Sequence, residues 1–138
     1  MSTTIDLTGG QSAIPWDGLN TTYRMVNRLD FSLNPALATN IVEAVKVQAN
    51  THVTKVYVKV VTAEGSTATA TVGVVGTPAG LIASANLNAT AGTLTQSTIS
   101  DTLANGVVFT ADGTIDIVPA ENLSHAVVDV IAVCEDLR

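Results

Sequence analysis

The segment Thr51–Thr62, THVTKVYVKVVT, constrains the fold more than any other part of the chain. Thr54, Val56, Val58, Val60 and Thr62 recur at every second position, with Lys55, Tyr57 and Lys59 between them. Side chains alternate across a strand with period two, so this pattern puts valines on a buried face and lysines on a wet one. Ala63-Glu64-Gly65-Ser66 then supplies a small-residue turn, and Thr67 to Val75 reads as a partner strand. From Val53 to Thr93 the only charged side chains are Lys55, Lys59 and Glu64. Such a block is strongly specified as β-structure and poor in reactive groups. It suits packing or assembly better than catalysis.

The rest of the chain extends the pattern. Gly76 to Gly80 reads as a loop and Leu81 to Leu87 as a further strand. Val107-Val108-Phe109-Thr110 and Thr114-Ile115-Asp116-Ile117-Val118 flank Asp112-Gly113, a hairpin signal that Pro119 ends. Ala126 to Cys134 is almost continuously apolar, as a buried strand is. Asn34 and Pro35 mark a turn or short helix to about Thr39, followed by a strand from Ile41 to Gln48. Short strands separated by turns predict an all-β fold, an antiparallel β-sandwich of jelly-roll-like type.

Residues 1–34 differ. Gly9-Gly10, Pro15 and Asp17-Gly18 break any helical period, leaving short extended pieces at Thr3 to Leu7 and Tyr23 to Leu29. The expectation is an extended N-terminal arm over 1–34 and a sandwich domain over 35–138. Ile14, Trp16 and Tyr23 are the arm's large side chains and its candidate contacts with another subunit, since aromatics dominate interface energetics. The competing reading is that Trp16 covers one end of its own sandwich.

Composition narrows the function classes. Only 13% of residues are charged while 46% are hydrophobic, which excludes a disordered chain and suits surfaces hidden against partners. The net charge of −6, with six basic residues scattered along the chain, argues against nucleic acid as a partner. No apolar run reaches the length of a membrane helix and no signal peptide is visible, so a soluble protein made in a cytoplasm is expected. Cys134, the only cysteine, reads as a small core residue.

Catalytic motifs are thin. His52 and His125 are too few for a zinc site and read as polar strand-end residues. A triad of Ser124, His125 and Asp129 can be assembled from parts, but no GxSxG elbow supports it. Asp101, Asn105, Asp112 and Asp116 lack a calcium-loop pattern, and Gly9-Gly10 lacks the lysine of a phosphate loop. A sugar cleft wants more aromatics than one Trp, two Tyr and two Phe. The expectation is a non-enzyme with no catalytic residues, metal or cofactor.

From Val56 to Thr93, VYVKVVTAEGSTATATVGVVGTPAGLIASANLNATAGT, the chain resembles small virion proteins of tailed bacteriophages, and Phe109 to Asp116 and the closing valine-rich strand extend the likeness over roughly residues 50 to 135. The resemblance implies a capsid cement (decoration) protein, a β-sandwich or jelly-roll homotrimer. It would sit on the capsid exterior, clamp adjacent major capsid protein subunits and be made in the bacterial host cytoplasm. Other virion parts, such as a head-fibre base, tail tube or tail decoration, share the sandwich and remain alternatives. A carbohydrate-binding module ranks below them.

Overall fold

The computed structural model describes residues 3–11, 22–97 and 105–137. In chain order the strands are β1 (Thr4–Asp6), β2 (Thr22–Asp30), β3 (Ile41–Val47), β4 (Thr51–Thr62), β5 (Thr69–Val74), β6 (Thr77–Asn86), β7 (Leu94–Gln96), β8 (Val107–Phe109), β9 (Gly113–Pro119) and β10 (Val127–Asp136). One 3-10 turn, Thr8–Gly10, follows β1.

Two sheets face each other. The first has the order β1-β3-β9-β5-β6; the second has β2-β10-β4-β7, with β8 also paired to β4. The antiparallel pairs are nested: β2 with β10, β3 with β9, β4 with β7 and β8, and β5 with β6. A long hairpin rolled over on itself gives this arrangement, with lateral pairs β10–β4 and β9–β5 holding the roll closed. That is a jelly roll, so the all-β sandwich expected from the sequence is what forms. β1 adds one parallel strand beside β3.

The core lies between the sheets and is built from small branched side chains. Val42, Val45, Val53, Val56, Val58, Val72, Ile115, Ile117, Val128 and Val130 are all fully buried, with Phe31, Met25, Leu29, Leu81 and Leu87 as the larger fillers. Dense packing of many small surfaces replaces the few large aromatics of other sandwiches. Each fully buried Val or Leu contributes about 1.5–3 kcal/mol relative to exposure.

Several expectations need correction. The Asp112-Gly113 segment does not close a hairpin: β8 pairs with β4 in the second sheet, while β9 pairs with β3 and β5 in the first. The chain crosses between sheets here. A Cβ at Gly113 would lie 2.8 Å from the Phe109 ring, so a side chain there would have to displace that half-buried ring, and the Asp112 carboxylate accepts the Ala49 N–H at 2.9 Å. Gly76 to Gly80 is not a loop, since β6 starts at Thr77 and carries Pro78 at its edge position. Around Pro35 the turn forms and the short helix does not; Ala36 makes an isolated bridge with Leu123. The segment 1–34 also enters the sandwich twice. β1 pairs with β3, and β2 pairs with β10 along nine registered residues. Residues 12–21 lie outside the described part.

In β4 the alternation is interrupted twice against β10, once at Val61, between the Thr62–Val127 and Val60–Val128 pairs, and once at Thr54. Val133 pairs with Lys55 and Cys134 with Val53, so Thr54 is the extra residue of a bulge. The bulge lets Val53 and Val56 both face the core. Thr54 Oγ1 donates to the Val133 carbonyl at 3.1 Å.

Candidate interaction surface

Of the three contact candidates, Ile14 and Trp16 fall outside the described residues. Tyr23 is placed on β2 in phase with buried Met25 and Leu29, and it packs half-buried against the core. Tyr23 thus packs against its own core with part of its surface left exposed.

The groups with chemical potential are engaged in holding the fold. His52 places Nδ1 3.0 Å from Glu135 Oε1 and Nε2 3.1 Å from the Asn105 carbonyl. Ser124 Oγ lies 3.0 Å from His125 Nδ1, and Glu64 Oε2 lies 3.6 Å from the same nitrogen. A relay needs the nucleophile on one ring nitrogen and the acid on the other, so this cluster is not a triad. Asp129 is elsewhere, chelating Arg28 at 2.8 and 3.1 Å. Glu64 instead accepts the backbone N–H groups of Ser124, His125 and Ala126 at 3.1, 3.0 and 2.9 Å. Burial raises its pKa, but these three bonds together with the His125 side chain pull it below the usual carboxylate range. Nothing in Ala63-Glu64-Gly65-Ser66 announced this role, because its partners are 60 residues away in sequence.

Cys134 is buried in β10, and burial pushes its thiol up to about 12. A thiol this far from ionisation is not a nucleophile. Among the described residues no three His, Cys, Asp or Glu side chains gather as a metal site.

Surface charge is organised by the sheets. On the outer face of the first sheet, Asp6 pairs with Glu43, Glu43 with Asp116 and Asp116 with Gly73, a row holding three acids. The β5–β6 turn lies over this row, and Val75, Gly76 and Pro78 line a pocket of about 240 Å³ with Ile41, Glu43, Asp116 and Val118. Asp116 is only 6% exposed, and burial raises its pKa despite a 2.7 Å bond from Thr114 Oγ1, with Glu43 adding to the rise.

The outer face of the second sheet is the opposite. Val133 is registered with Arg24 on one side and Lys55 on the other; Asp129 lies between Arg28 and Lys59; Ile131 and Tyr57 occupy the row between. Of the six Lys and Arg residues, those four stand on one face. The basic residues that look scattered along the sequence are gathered by strand pairing.

No family model and no curated protein matches this chain. Solved structures do. A chain in the capsid of Ralstonia phage GP4 superposes with a TM-score of 0.63 at 18% identity, covering 97% of this chain and 98% of that one. The acidic stable capsid structure of Helicobacter pylori bacteriophage KHP30 gives 0.62 at 14%, covering 85% and 89%. The cyanophage Pam1 capsid asymmetric unit gives 0.63 at 15%, covering 91% and 92%. The shared property is the jelly roll itself. The likeness extends over 85–97% of this chain.

Proposed function

We propose that the chain is a structural virion protein, a cement or decoration protein that binds the outer surface of a phage capsid and clamps adjacent major capsid subunits. The observation that carries this reading is the near-full-length fold match to chains in three phage capsid structures. The described surface supports it: polar groups with catalytic potential are tied to the backbone or to each other, and broad sheet faces remain.

The mechanism is binding alone. Each copy would bury surface on two or more shell subunits. A ligand that binds only the assembled shell stabilises it by an amount set by its concentration over its dissociation constant. A homotrimer would multiply these contacts through effective concentration. Ile14, Trp16 and the exposed part of Tyr23 remain the proposed anchors of the N-terminal segment.

Co-sedimentation with undecorated, expanded shells of the phage that encodes the chain tests the reading. Binding that saturates at a fixed ratio per shell subunit is expected. Rings or stacked tubes formed by the purified protein alone, with no shell binding, would replace it with a tail component.

A further inference from the structure

We propose that the outer face of the second sheet is the docking side of the molecule, and that its partner is an acidic protein surface on a shell subunit. This rests on the virion reading above and specifies which face acts.

The argument begins with geometry. Arg24 and Lys55 both flank Val133, and Arg28 and Lys59 both flank Asp129. Two strand spacings separate the members of each pair, about 10 Å, and four residues of β10 separate the two rows, about 13 Å. Four cationic side chains thus frame a centre made of Ile131, Val133 and Tyr57. These three are half-buried, while the four cations are exposed. An apolar centre within a charged rim is the anatomy of a protein interface.

Charge then selects the partner. In a chain of net charge −6, solubility is already provided by the surplus of acids. Gathering four of the six cations on one face has a different effect, which is to orient that face towards negative charge. Asp129 neutralises Arg28 by a two-pronged contact, and Glu135 on the same face is turned to His52, so Arg24 and Lys55 have no acid in their own row and Lys59 stands beside an acid already held by Arg28.

Two other occupants fit less well. A nucleic acid would meet branched aliphatic side chains and a single stacking ring, Tyr57, within a field that is negative overall. A second copy presents a row of acids in Asp6–Glu43–Asp116 on its opposite face, but there Asp116 is 6% exposed beneath the β5–β6 turn.

The experiment compares wild type with the triple variant Arg24→Glu/Lys55→Glu/Lys59→Glu in co-sedimentation with undecorated shells over a range of salt. Thr71→Glu, on the outer face of the other sheet, is the control. All three reversed positions are exposed, so thermal melting should stay within a few degrees of wild type. The expected result is wild-type binding that weakens as salt rises, a loss of about tenfold or more in the triple variant, and no change in the control. Shell binding by the triple variant equal to that of wild type overturns the docking face and leaves the virion reading standing. Absence of wild-type binding overturns both. Two outcomes would reassign the face. Self-association lost in the triple variant while shell binding persists gives it to a second copy, and a single-stranded oligonucleotide bound by wild type but not by the triple variant gives it to nucleic acid.

Discussion

Glu64 shows how a single carboxylate ties the turn after β4 to the segment entering β10. It is 6% exposed and accepts three consecutive backbone N–H groups, which have no other partner of comparable geometry at that bend. Glu64→Ala would remove all three bonds and leave the buried Ala126 N–H unpaired, costing about 1–3 kcal/mol, visible as a lower urea midpoint at an unchanged slope. Because its folded pKa is depressed, the stability it contributes is present above the ordinary carboxylate pKa and lost as pH falls through the lower, folded value. The deficit of Glu64→Gln relative to wild type should therefore narrow on acidification. Asp116 works in the opposite sense. Its pKa is raised, so its contribution is complete in acid and is lost as pH rises through the folded value. Asp116→Asn should raise the melting temperature at pH 7, by the equivalent of about 1 kcal/mol, and give no gain well below the carboxylate range. Melting curves of the two variants across pH should diverge from wild type with opposite slopes.

At the scale of elements, what the sequence showed depended on how local each signal was. Strand β4 runs Thr51–Thr62 in the structure, the same bounds its alternation predicts. β10 was also legible, because continuous apolar character survives any register. The Asp112-Gly113 turn was misread because hairpin chemistry fixes a local bend, whereas the partners of β8 and β9 are chosen by β4 and β3, far away in the chain. The role of β2 was obscured by Asn27, a polar residue at an inward position. Its Nδ2 reaches the carbonyls of Leu7 and Ala44 at 2.8 and 2.6 Å and so binds β2 to both neighbours of the facing sheet. The basic face was invisible for the same reason as the failed hairpin: Arg24 and Lys55 become neighbours only through β10. Gly73 was another silent position. A Cβ there would lie 2.6 Å from the Pro78 carbonyl carbon, with the Thr77 carbonyl oxygen closer still. Gly73→Ala should lower stability by about 2 kcal/mol or more, since backbone rather than a movable side chain is in the way. Ser84→Ala, at an exposed site on β6, should change it by less than about 0.5 kcal/mol. Chemical denaturation of both variants makes the comparison.

For the whole molecule, the nested pairing makes the sandwich one cooperative unit. Cys134 provides a probe of this, since its thiol is 1% exposed on a strand paired on both sides. Labelling by a thiol reagent under native conditions should be slow and should speed up in Glu64→Ala in proportion to the loss of global stability. Labelling that ignores such destabilisation would show that β10 opens by itself. The position of β10 has a further consequence. It is the last strand to emerge in chain order, yet it lies between β2 and β4, two strands that have no contact ladder with each other. A nascent chain therefore carries half of its second sheet as separated, unsatisfied edges until synthesis has passed Val127. Pairs such as β5–β6 and β4–β7 can form as they emerge, but the second sheet cannot join β2 to β4 strand by strand. It has to wait until β10 itself is out, and only then can the slow, long-range pairing of that sheet be completed.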